Sequence, residues 1–134
     1  IVIVKQKKQK QAGKIRSAGM RAGVALKPET PVSAVMPLLV PVRLLHCVDV
    51  LAVQPGFGGQ VLDPRVLDKV RELRSACPQL DIQVDGGLNA STISDCVTAG
   101  ANVLTAGSFL FGGGEAGMMQ GVSAMRAALV ERWS

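Results

Sequence analysis

The sequence predicts an α/β protein whose parallel sheet is built from successive βα units, and three observations carry that prediction. Short aliphatic runs at residues 20–26, 47–53, 80–85 and 103–106 recur at intervals that leave room for a helix between them. The segments between them carry apolar residues three and four apart, the helical period. Glycine, proline or a capping side chain stands at most of the changes of period. This pattern fits an open and a closed sheet equally well.

The first strand, 20–26, runs into the turn material Lys27, Pro28, Glu29, Thr30 and Pro31. A helix is expected from about Pro31, with Val32, Val35, Met36 and Leu39 on one face and Pro41 as its stop. The second strand, 47–53, reads as a continuous buried run. After the loop 54–60, Asp63 and Pro64 suit the start of a helix on which Val66, Leu67, Val70 and Leu73 share a face. Pro78 ends that unit. In the third strand Leu80, Ile82 and Val84 alternate with Asp81, Gln83 and Asp85, so the polar side chains occupy the face opposite the aliphatic ones. Asn89 is placed to cap a helix over 90–99, and Gly100 to stop it. After the fourth strand, Gly107-Ser108 opens a tight turn. Met118, Val122, Met125, Leu129 and Trp133 then mark a final amphipathic helix, with the methionines on its packing face.

Composition narrows the function. With no Tyr, three Phe and one Trp, the chain has almost nothing from which to build base-stacking platforms, so nucleic acid is not an expected partner. The net charge of +5 owes much to Lys5, Lys7, Lys8, Lys10, Lys14 and Arg16. No apolar stripe accompanies that run, so it reads as a solvated helix face and not as a membrane or nucleic-acid patch. Residues 1–13 are set apart as a basic segment, and 14–134 hold the βα units. Cys47, Cys77 and Cys96 are widely spaced, odd in number and without a C-x-x-C pair, which speaks against a disulfide framework or zinc knuckle and for a reducing, cytoplasmic setting. No stretch is long and apolar enough to span a bilayer.

Ligands of parallel α/β folds lie beyond the carboxyl ends of the strands. Three glycine-rich turns fall there, each between a strand and a helix: Gly56-Phe57-Gly58-Gly59, Gly86-Gly87 and Gly107-Ser108. Glycine lets backbone N–H groups approach an anion, and a helix start adds partial positive charge. A single such turn is ordinary, whereas three at equivalent positions point to phosphate. Asp85 is the one carboxylate that the alternation puts at a strand's carboxyl end on the inward face, which makes it the candidate catalytic residue. The competing reading is an Asp that caps its own turn. His46 falls at the amino end of its strand and is given no role.

Taken together, Pro55-Gly56-Phe57-Gly58-Gly59-Gln60, Val84-Asp85-Gly86-Gly87 and Gly100-Ala101-Asn102 resemble the ribulose-phosphate 3-epimerase family. Supporting matches are Gly19-Met20, Gly23-Val24-Ala25-Leu26-Lys27-Pro28 with Thr30, and Gly107-Ser108. The resemblance implies a partial TIM (β/α)8 barrel, approximately its last four βα units. At 134 residues the chain is well short of the ~250 typical of the closed barrel. It also implies interconversion of D-ribulose 5-phosphate and D-xylulose 5-phosphate, in the pentose phosphate pathway, by proton transfer at carbon 3 between two aspartates. A divalent metal (zinc, iron, manganese or cobalt) would stabilise the developing charge. Asp85 would be one of those aspartates and a metal ligand. Gly56, Gly58, Gly59, Gly87, Gly107 and Ser108 would hold the substrate phosphate. Leu51 stands where relatives often carry methionine.

The family's second aspartate and two metal-ligating histidines have no counterpart in this half, so the resemblance leaves one of four metal ligands and implies an inactive chain. The alternatives are a phosphate-binding half-barrel that self-associates into a homo-oligomer and, less well matched, another sugar-phosphate barrel enzyme such as a decarboxylase or synthase.

Overall fold

The computed structural model describes residues 2–4 and 8–133. It contains five parallel strands in the order β1 (Val2–Val4), β2 (Ala22–Leu26), β3 (Cys47–Leu51), β4 (Asp81–Asp85) and β5 (Val103–Thr105), each paired with its neighbours in sequence. This unbroken order decides between the two sheet types that periodicity left open. A doubly wound sheet reverses its strand order, whereas right-handed crossovers that always advance the same way keep their helices on one face, as in a barrel.

Register assigns the faces. Ala22, Val24, Leu26, Val48, Val50, Ile82 and Val84 are all buried on the helix-covered side. Cys47, Asp49 and Leu51 lie opposite Asp81, Gln83 and Asp85 on the other side, the inner one. Helix α3 (Arg65–Ala76) packs Val66, Val70 and Leu73 on the sheet. Asp63 starts it as expected, its Oδ1 accepting the Arg65 N–H at 3.0 Å. Helix α4 (Ile93–Ala99) begins three residues later than 90–99, because Asn89 Oδ1 accepts the N–H groups of Ser91 and Thr92 and holds 90–92 as a turn. Gly100 ends it at φ +122°.

Three expectations need adjustment. The helix expected from Pro31 is divided into a 3-10 turn at Val32–Ala34 and a single-turn helix α2 (Met36–Leu39), with Pro37 near the start of the second piece. Gly107-Ser108 opens a one-turn helix, α5 (Ser108–Phe111), before the last helix α6 (Gly114–Trp133). That last helix buries only Gly121 and Met125. Its packing face is narrower than the spacing suggested, and Met119 is exposed. Gly121 fits against Phe109 and Leu110, where a Cβ would come within 2.8 Å of Leu110 Cδ2.

The basic segment divides likewise. Val2–Val4 adds β1 to the expected four strands, and Lys10, Lys14 and Arg16 are exposed on helix α1 (Lys8–Ser17) over buried Ala12. Lys5 and Lys7 lie outside the described residues. No described helix is long and apolar enough to cross a membrane.

Candidate functional site

The three glycine-rich turns meet at the carboxyl ends of β3, β4 and β5. The loop after β3 is pinched at its base, where the Asp63 N–H donates to the Ala52 carbonyl at 2.8 Å and the Ala52 N–H to the Asp85 carbonyl at 2.8 Å. It therefore arches over the end of β4. Gly58 and Gly59 of this loop, Gly86 and Gly87 after β4, and Gly107 and Ser108 after β5 line one cleft of ≈190 Å³ together with Asp85. That volume suits a small anionic group better than a drug-sized ligand. Gly56 belongs to the same loop but does not line the cleft.

The turn after β4 is glycine for steric reasons. Gly86 and Gly87 have φ of +101° and +67°, and a Cβ on Gly87 would collide with the Leu62 backbone. The loop after β3 can thus lie directly on the β4 turn. Among the described residues no acceptor is found for the N–H groups of Gly58, Gly59, Gly87, Gly107 and Ser108. Backbone donors normally find acceptors. Five without one around a single cleft make a concave array that complements an anion.

Asp85 is partly buried, and that burial raises its carboxyl pKa above the ordinary value. It registers with Leu51 on β3 and Thr105 on β5. A carboxylate with raised proton affinity beside an anion cradle can take a proton from, or return one to, a substrate carbon.

A further carboxylate on the inner face, Asp49, beside Asp81 and Asp85, escaped the sequence reading. It lies opposite Gln83, one layer below Asp85, and is 4% exposed. Its Oδ1 has no hydrogen-bond partner among the described residues. Burial first, then the charge of Asp85, pushes its pKa up to about 6, against the opposing effect of a hydrogen bond from Gln83. The signal was present in the parity of β3, where Cys47, Asp49 and Leu51 alternate with Val48 and Val50. It was masked because 47–53 read as one apolar run.

The donors do not fit a metal. Asp85 supplies one carboxylate, and no group of three or more His, Cys, Asp or Glu side chains comes together among the described residues. The three cysteines are free, and burial raises the thiol pKa values of Cys47 to about 11 and Cys96 to about 12, which leaves both unreactive near neutral pH. A larger cleft, ≈360 Å³, lies at the opposite, amino ends of the strands and includes Arg21 and His46. Arg21 there is ion-paired with Asp81, and His46 Nδ1 accepts the Ala22 N–H at 3.3 Å, so both are engaged in holding strand ends.

The family model described as "Ribulose-phosphate 3 epimerase family" matches residues 4–111. The chain belongs to this family. Ribulose-phosphate 3-epimerase, cytoplasmic isoform, from Oryza sativa subsp. japonica is 48% identical over 115 residues, covering 86% of this chain and 50% of the relative. The enzyme of Schizosaccharomyces pombe is 42% identical over 106 residues, or 79% of the chain and 45% of the relative. The chain therefore spans about half the length of these curated relatives. Among solved structures, a native KDPGal structure matches with a TM-score of 0.63 at 14% identity, covering 97% of this chain and 58% of the other. A mutant tryptophan synthase α-subunit from Pyrococcus furiosus matches with a TM-score of 0.65 at 18% identity, covering 93% and 54%. Both likenesses establish the fold, about half of a TIM barrel, and the family model extends to within the first strand of the basic segment.

Proposed function

We propose that these residues are the phosphate-holding half of a ribulose-phosphate 3-epimerase, in which Asp85 moves a proton at carbon 3 of D-ribulose 5-phosphate or D-xylulose 5-phosphate. The observation that carries this reading is that Asp85 lines the same cleft as the free N–H groups of all three glycine-rich turns. A sugar phosphate held by its phosphoryl group there would lie along the carboxyl ends of the strands, with its carbon chain directed over Asp85. Removal of the carbon 3 proton, acidified by the neighbouring carbonyl, gives an enediolate. Return of a proton to the opposite face completes the inversion.

One carboxylate serves one face of carbon 3. Asp49 cannot serve the other, because it is buried beneath Asp85 on the same side of the sheet. The second acid/base is therefore assigned to protein outside these residues, in keeping with a chain that spans half of its relatives. Among the described residues Asp85 is joined by no group of further His, Cys, Asp or Glu side chains that could complete a metal site.

The test is coupled turnover of ribulose 5-phosphate with added divalent metal. The chain alone is expected to give none. Joined to the amino-terminal half of the rice relative, it is expected to gain activity that Asp85→Asn lowers by roughly 10²–10⁴-fold, the range for loss of a positioned acid or base. Undiminished activity in the joined Asp85→Asn protein would remove Asp85 from the mechanism.

A further inference from the structure

The loop at residues 54–60 has a defined shape although almost nothing packs on it. Phe57 is 77% exposed, and positions equivalent to a Cβ on Gly56, Gly58 and Gly59 have no atom within 4 Å. Side-chain packing therefore does not set its conformation. The side chain that closes it is Gln60, which is half-buried at the loop's end. Its Nε2 donates to the Gln54 carbonyl at 2.8 Å and to the Phe57 carbonyl at 2.8 Å, so both amide hydrogens are used. Gln54 in turn donates to Glu29 at 3.2 Å, which ties the loop to the turn after β2.

The bond to Phe57 has a directional consequence. In a planar trans peptide the C=O of one residue and the N–H of the next point in opposite directions. Holding the Phe57 carbonyl on Gln60 therefore also fixes the direction of the Gly58 N–H, and Phe57, Gly58 and Gln60 all line the cleft. The bond to the Gln54 carbonyl has no such partner effect, because residue 55 is proline and carries no N–H. It fixes the start of the loop.

We propose that Gln60 is a positioning residue of the anion cradle, which fixes the Gly58 peptide for a bound phosphoryl group by holding the Phe57 carbonyl. This inference rests on reading the cleft as a phosphate site. It requires an amide donor at position 60. An isosteric apolar side chain leaves both carbonyls free to rotate into the cleft, where they repel an anion. A carboxylate does so more strongly.

The experiment follows the backbone amides of the ¹⁵N-labelled chain by NMR during titration with inorganic phosphate. The wild type is expected to show saturable shifts at Gly58, Gly59, Gly87, Gly107 and Ser108. In Gln60→Met the dissociation constant is expected to rise at least about tenfold. The Gly58 shift should be lost while those of Gly87 and Gly107 persist, a pattern that general loss of structure would not produce. Gln60→Asn, which keeps the donor on a shorter arm, should fall between the two. If Met at position 60 prevents folding, the Asn variant decides, with weaker binding and a reduced Gly58 shift expected. Wild-type affinity and an unchanged Gly58 shift in the folded variants would overturn the role of Gln60 while leaving the phosphate site in place. Absence of saturable shifts in the wild type would overturn the phosphate site and Gln60 with it.

Discussion

Asp49 shows how one residue can be legible in retrospect and missed in advance. Periodicity is read from apolar residues, and a lone carboxylate within an aliphatic run is absorbed into it. Asp85 was legible because the whole of β4 alternates, so that its aliphatic face defines the opposite one. Burial without a partner for Oδ1 gives Asp49 a measurable consequence. Its folded pKa of about 6 lies above the ordinary value of 3.8, so the fold favours the protonated form. The stability linked to this group is fully present below the unfolded value and is lost as pH rises through about 6. Asp49→Asn keeps the shape and removes the charge, and at pH 8 it should stabilise the chain by up to about 3 kcal/mol, from roughly two units at 1.36 kcal/mol each. At pH 4 most of the gain should be gone. Urea denaturation of both proteins at the two pH values measures this, and an equal difference at both would mean that Asp49 is not the titrating group.

At the scale of elements, the helix start at Asp63 and the stop at Gly100 were legible because caps are local chemistry, whereas Asn89 holds a turn ahead of α4 instead of its first residue. The divided helix after Pro31 and the one-turn α5 were not, because spacing alone does not report where a short helix breaks. Longer-range ties were also hidden. Arg74 on α3 donates to the Gly100 carbonyl at 2.9 Å, to the Pro78 and Leu80 carbonyls at 2.8 Å each, and to Asn102 Oδ1 at 3.1 Å. Asn102 Oδ1 also accepts the Ile82 N–H at 2.8 Å, and its Nδ2 donates to Asp81 at 2.9 Å. The Arg74 guanidinium lies 4.7 Å from the centre of the Trp133 ring, whose Nε1 donates to the Ala101 carbonyl at 3.1 Å. One arginine therefore joins α3, the start of β4, the turn before β5 and the end of α6. This gives Gly100-Ala101-Asn102 a structural meaning distinct from that of the three glycine-rich turns. Arg74→Ala strands several acceptors and should cost about 2–3 kcal/mol. Thermal and urea unfolding measure the loss, and phosphate affinity per folded molecule should be unchanged. A variant as stable as the wild type would refute the joint.

For the whole molecule, the sequential parallel order makes one wall of a barrel, with all three glycine-rich turns at the same rim. Fold class was legible from the alternation of periods. Barrel curvature was not, because it depends on the order of strands, which no local pattern encodes. Among the described residues the outer edges of β1 and β5 carry no strand, and these are where further strands, or a second copy of the chain, would pair. What the wall holds by itself is the cradle and one carboxylate. The most direct test of that account is calorimetric titration of the chain with ribulose 5-phosphate and, separately, with unphosphorylated ribulose. The cradle predicts saturable binding of the phosphorylated sugar, competed by inorganic phosphate, and none of the free sugar; equal binding of both, or of neither, would contradict it.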